Sequence, residues 1–154
     1  MNGFAGTIGA RDSVGDVVGT WGSGVFENDA AEDLLETFRS LEDEAREELL
    51  RRVVTTSAVH GADPRKVDPA EALVGVAVVA IGLSKDPSFS GAEDHPGIES
   101  WMSLALLFEL RPISLRVLDV VERECAWYWH GWRDEREEEE ALGEVAKMRR
   151  MLSL

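Results

Sequence analysis

The apolar positions of this chain recur at helical spacing, in stripes separated by short polar or glycine-rich breaks. Leu34, Leu35, Phe38 and Leu41 lie three and four residues apart and predict a first amphipathic helix. Asp29 followed by Glu32 is a capping-box pattern, so that helix is expected to open on Asp29 as its N-cap. Ala45, Leu49, Val53 and Val54 carry the same stripe onward from Leu41, while Ser40 with Asp43 offers a second cap. The pattern predicts either a break near Ser40 or one long, bent helix. The opposite face sets Glu42, Asp43, Glu44, Glu47 and Glu48 against Arg46, Arg51 and Arg52, with Glu47/Arg51 and Glu48/Arg52 spaced for i,i+4 pairing.

Residues 55–67, which contain Gly61 and Pro64, read as a loop. Asp68-Pro69-Ala70-Glu71 is the strongest helix start in the chain: a cap, a proline at the first helical position and a glutamate at the third. The helix that follows is apolar on nearly every side from Leu73 to Ile81, which places it at the centre of a bundle. Gly75 is suited to close approach by a neighbouring helix, and Gly82 to ending this one. The segment from Ser84 to Gly97 is the longest loop. Ile98, Trp101, Met102, Ala105 and Phe108 form the next stripe, expected to stop at Arg111-Pro112. Ser114 then caps a helix with Leu115, Leu118, Val121 and Cys125 inward, and Leu142, Val145, Met148 or Arg149, and Leu152 make a terminal helix. One unbroken helix from Ser114 to Leu152 would run nearly ~60 Å at about 1.5 Å per residue, so a break is expected near Gly131 or just before Trp127. The fold class is therefore all-α: a single compact bundle of five to six helices over residues 18–154, with a Trp/Gly loop packed on it. Residues 1–17 form an N-terminal extension, with room for a short strand at residues 16–18.

Composition narrows the function classes. Asp and Glu number 30 against 16 Lys and Arg, a formal net charge of -14 in 154 residues. That charge repels nucleic acid and anionic membrane surfaces, and suits a basic protein partner. Cys125 is the only cysteine, which excludes an intramolecular disulfide and favours a reducing compartment. The N-terminus lacks the basic and apolar regions of a signal peptide, and the longest apolar run, residues 72–83, is shorter than the ~20 residues of a membrane span. A cytoplasmic location is expected.

The densest local motif is GTWGSGVFENDAAEDLLETF. Gly19, Thr20, Trp21, Gly22, Ser23, Gly24, Phe26, Glu27, Asn28, Asp29 and Asp33 match the opening signature of a bacterial family, domain of unknown function 4259, which this segment resembles over about twenty residues. Members of that family typically begin where Val18 stands, so the resemblance implies that residues 1–17 are an extension or reflect a start codon chosen upstream. The family's Asn-Ser-Glu-Leu-like turn before a Leu-Trp helix is replaced here by Arg123-Glu124-Cys125-Ala126-Trp127-Tyr128-Trp129. The resemblance implies no activity, substrate or cofactor.

The residues themselves offer four candidate chemistries. Gly19, Gly22 and Gly24 do not follow the G-x-G-x-x-G order of dinucleotide sites, and Asp29, Glu32 and Asp33 would repel a phosphate there. Tight turning around a plugged Trp21 and Phe26, with Asn28 and Asp29 fixing the helix entry, accounts for the motif as a structural signature. His60, His95 and His130 stand far apart and form no helical metal pair, so neither metal nor cofactor is expected. Cys125 and His130 suggest a nucleophile and base, but five residues on one helix set them about 140° apart, and a core thiol is the better reading. Trp127, Tyr128, Trp129 and Trp132, beside Glu137 and Glu138, form the candidate interaction surface, because aromatics anchor interfaces and carboxylates receive cations. The chain is thus expected to be a non-catalytic protein-interaction module, immunity-type in size and charge, with homo-oligomerisation left open. The alternative is a small enzyme or ligand-binding domain with a pocket between the Trp21 loop and the Ser84–Gly97 loop, lined by Asp29, Asp33, His95 and Trp101.

Overall fold

A computed structural model describes residues 24–125 and 135–153. Among them the chain is all-α, with five helices: α1 Asp29–Ser40, α2 Asp43–His60, α3 Pro69–Ser84, α4 Leu104–Glu124 and α5 Glu135–Leu152. Single 3-10 turns at Ala92–Asp94 and Ile98–Ser100 punctuate the connection between α3 and α4.

Helix α3 is the hub. The Asp68 carboxylate accepts from the Ala70 amide at 2.9 Å, Pro69 follows, and every residue from Ala72 to Gly82 is buried. Helices α1, α2, α4 and α5 all pack on it, as expected of a helix with no polar face. Gly75 admits α2: a Cβ there would lie 3.0 Å from a Val53 methyl and 3.3 Å from a Val54 methyl. Gly82 does not end the helix. It lies inside α3 against Leu107, and the left-handed residue at the C-cap is Lys85, φ 60°.

Four other expectations are corrected. Helix α1 is capped by Asn28, whose side chain accepts from the Ala31 amide at 2.8 Å, so Asp29 is the first helical residue instead of the cap. The break after Ser40 is real, but Leu41 and Glu42 are both extended there, and the helical phase does not carry across. Leu50, Val54 and Ser57 consequently form the buried stripe of α2 while Ala45 is exposed, and the helix runs to His60 through what reads as loop. Arg51 pairs with Glu48 at i,i+3 and with Glu109 of α4, and Glu47 accepts from the Ser103 amide instead of pairing along its own helix.

The largest departure concerns α4. Ser103 caps it, accepting from the Leu106 amide, and the helix passes through Pro112 without ending. Pro112 has no N–H to give the Phe108 carbonyl. Both residues face solvent, where water can donate to that carbonyl, and the helix tolerates the loss. Ala105 and Phe108, expected in the core, are exposed, and Ser114 is a buried mid-helix residue instead of a cap. Helix α4 stops at Glu124, just ahead of Trp127, and residues 126–134 lie outside the described set.

Candidate functional site

The described end of the signature motif is a packed and fastened loop. Phe26 is 0 % exposed and meets the Phe89 ring, with centroids 6.0 Å apart. One oxygen of Glu27 accepts from the Gly24 amide at 2.8 Å, and the other from the Ser90 hydroxyl at 3.1 Å. The Val25 amide donates to the Glu144 carboxylate of α5 at 2.8 Å. Gly91, at φ 96°, brings its backbone so close that an added Cβ would lie 3.0 Å from that of Phe26. From the other side, Lys147 of α5 donates to the Ser88 carbonyl and sits 4.3 Å from the Phe89 ring centre. Burial pushes the Glu144 carboxyl above the ordinary range, against the lowering effect of the Val25 amide. Gly24, Phe26 and Asn28 therefore act here through packing, turning and capping. Asp29 is exposed at the start of α1. Trp21 and Gly22 lie outside the described residues.

Beside this loop, the 3-10 connection carries His95 into the interior. His95 is 1 % exposed; its Nε2 lies 3.1 Å from Glu32 Oε2 and its ring meets Trp101 edge-on at 6.4 Å. Nδ1 is buried without a hydrogen-bond partner among the described residues. Arg46 closes the far side, 5.7 Å from the Trp101 ring centre, with its Nε donating to the Phe38 carbonyl at 2.7 Å and Nη2 to the Leu41 carbonyl at 2.8 Å. Of the four residues named for a pocket, His95 and Trp101 come together, while Asp29 and Asp33 are exposed. An imidazole held by a carboxylate has the outline of a general base. Its second nitrogen, however, lies buried, and the one cysteine is elsewhere. Cys125 is buried, its Sγ donates to the Gly61 carbonyl at 3.3 Å, and burial, then the Glu124 charge, pushes its thiol up. A protonated buried thiol is a packing group, not a nucleophile. His130 lies outside the described residues, and His60 is exposed at the end of α2. No group of three or more His, Cys, Asp or Glu among the described residues could hold a metal.

Two of the grooves on the described surface carry charged side chains. One, between α2 and α3, mixes Arg52 and Lys66 with Asp68 and Glu71, and so presents no single sign of charge. Burial, with the charges of Asp68 and Asp33, pushes the Glu71 carboxyl up. The other runs along α5, where Arg149 bridges Asp119 at 2.9 Å and Glu122 at 2.6 Å. These half-exposed pairs stabilise by about 0–1 kcal/mol each. Trp127, Tyr128, Trp129 and Trp132 lie outside the described residues, and Glu137 and Glu138 are half-buried in the first turn of α5. No helix among the described residues is long and apolar enough to cross a membrane.

Pattern reading missed Arg46, Glu144 and Lys147, whose partners are 8, 119 and 59 residues away in sequence. It had access to Asn28, a preferred cap, but assigned the position to its neighbour. No curated protein and no solved structure is found to match the chain. The family model described as Domain of unknown function (DUF4259) matches residues 19–144, an interval that begins within the glycine-rich motif and ends on the glutamate that fastens it. The chain belongs to that family.

Proposed function

We propose that this chain is a non-catalytic binding protein whose acidic surface receives a basic protein partner, a task of the immunity type. The observation that carries the reading is how the charges are engaged. Arg39, Arg46, Arg51, Arg65 and Arg149 are each held by carboxylates or carbonyls of the chain itself. Glu42, Glu44 and Glu139 are exposed, and have no ion-pair partner among the described residues. Arg52, Arg116, Arg123, Arg136 and Arg150 are exposed as well, but the net charge of -14 in the sequence leaves carboxylates in excess, and that excess attracts a cationic surface and accelerates its approach. The half-buried Glu137 and Glu138 on α5 are part of this reading, with Trp127, Tyr128, Trp129 and Trp132, outside the described residues, proposed as aromatic anchors.

The test is affinity capture from a bacterial lysate at low ionic strength, comparing the natural chain with a Glu138→Lys/Glu139→Lys variant. Retention of strongly basic proteins is expected, with release by about 0.15 M salt and weaker retention on the variant. Equal retention on both, or retention of acidic and basic proteins alike, refutes the reading.

A further inference from the structure

Helix α4 has a face that no other described element covers. Its buried residues Leu106, Leu107, Leu110, Ser114, Val117, Leu118 and Val121 form one stripe against α2, α3 and α5. On the side away from it, Leu104, Phe108 and Pro112 follow at i, i+4 and i+8 with Ala105 beside them, and all four are exposed. Leu104 is 54 % and Phe108 59 % exposed, whereas the other phenylalanines among the described residues, at 26, 38 and 89, are each 3 % exposed or less. In the second half of the same face Arg116, Asp119 and Arg123 are polar and Leu115 is half-buried against the core, so the exposed apolar stretch is confined to the first half.

The rim of this stretch is negative. Glu109 borders it on α4, and Glu47 and Glu48 of α2 stand alongside through the contacts of Glu47 with the Ser103 amide and of Arg51 with Glu109. Glu44, one turn earlier on α2, is exposed. Three of the neighbouring cations are turned away or neutralised, while Arg116, one turn beyond Pro112, is exposed. Arg46 is drawn under Trp101 onto carbonyls, Arg51 is shared between Glu48 and Glu109, and Arg111 donates to the Leu152 carbonyl. The proline adds an acceptor, because it has no N–H for the Phe108 carbonyl in the middle of the stretch.

We propose that the outward face of the first half of α4, centred on Leu104 and Phe108, is the docking seat for a basic amphipathic segment of the protein partner. This rests on the binding-protein reading and names its surface. Apolar side chains of the segment cover Phe108 and Leu104, and its Lys or Arg side chains reach the carboxylate rim. A second copy of this chain does not suit the seat, since it would bring its own surplus of -14 against the same carboxylates.

The test uses a fluorescent lysine–leucine peptide of about 18 residues with leucines at helical spacing, and a control of the same composition with the leucines scattered. Binding to the full chain is read by anisotropy against Phe108→Ser/Leu104→Ser, Glu44→Lys/Glu48→Lys and Glu138→Lys/Glu139→Lys variants. These substitutions lie at exposed or half-exposed positions, and circular dichroism checks that each variant folds. The expected result is that the patterned peptide binds, that the scattered one binds more weakly, and that Phe108→Ser/Leu104→Ser loses about tenfold in affinity. Unchanged affinity in that variant overturns the seat. If either charge-reversed variant still weakens binding in that case, the acidic-surface reading survives without it, and if neither does, both fail. Two further outcomes overturn the seat by assigning it another occupant. One is a dimer in sedimentation that Phe108→Ser dissociates. The other is a set of amide resonances from residues 1–23 of the free protein that Phe108→Ser shifts.

Discussion

Arg46 shows how one side chain ties two helices and an aromatic ring together. Its fork donates to carbonyls at the end of α1, pairs with Asp43 at 3.2 Å and lies over Trp101, reinforcing a C-terminus where the Leu41 amide also donates to the Phe38 carbonyl. A lysine ammonium cannot span those two carbonyls in the same plane. Arg46→Lys is expected to cost about 1–2 kcal/mol in urea unfolding, and a loss within error of zero would show the reinforcement to be dispensable. Glu144 makes the opposite case, a carboxylate whose charge burdens the fold. Burial raises its carboxyl above the ordinary range, so its contribution to stability is greatest below the ordinary carboxylate pKa and is lost as pH rises through the raised value. Glu144→Gln keeps an oxygen for the Val25 amide and removes the charge. Its urea midpoint should equal or exceed that of the natural chain at neutral pH, with the two converging by about pH 4. A midpoint at neutral pH as low as that of Glu144→Ala would refute the argument.

At the scale of elements, two glycines in helices separate packing from propensity. Gly143 in α5 is exposed, and an added Cβ would meet nothing within 4 Å, so Gly143→Ala should stabilise by about 0.5–1 kcal/mol. Gly82 in α3 has the same propensity to gain, but its Cβ would lie 2.6 Å from a methyl of Leu107, which is 0 % exposed. Overpacking of about 1–3 kcal/mol outweighs that gain, and Gly82→Ala should destabilise. Thermal midpoints moving in the same direction for both variants would contradict this. The contrast also explains what was legible in the chain. The start of α3 was readable because Asp68, Pro69 and Glu71 each signal through local chemistry, and its central position followed from the apolar run. The end of α3 was misplaced because a glycine that accommodates Leu107 looks, in sequence, like a glycine that ends a helix. Pro112 misled in the same way: a proline on the wet face of a helix is tolerated, and only the tertiary packing determines which face is wet. The register of α2 failed at Leu41, where two extended residues reset the helical phase.

For the molecule as a whole, the surplus of -14 repels itself, and salt should relieve it. Raising ionic strength from about 0.01 M to 0.15 M shortens the screening length from about 30 Å to 8 Å, so the thermal midpoint is expected to rise over that range. A midpoint that falls or stays level would mean that the engaged arginines outweigh the repulsion. The charge was plain from composition, and the all-α bundle followed from periodicity. The interior of the candidate site was not legible, because His95 meets Glu32 across 63 residues and Val25 meets Glu144 across 119. The contact between Val25 and Glu144 has a further consequence, for the order in which the molecule is made. Synthesis runs from the glycine motif toward α5, so the motif leaves the ribosome long before the carboxylate and the lysine that fasten it. Until α5 follows, the side of α3 that α5 covers is open, together with the pocket around Phe26 and Phe89. The loop from Gly24 to Asn28 is therefore among the last parts of the described fold to lock, and a chain interrupted before Glu144 carries an apolar helix for chaperones and proteases to find.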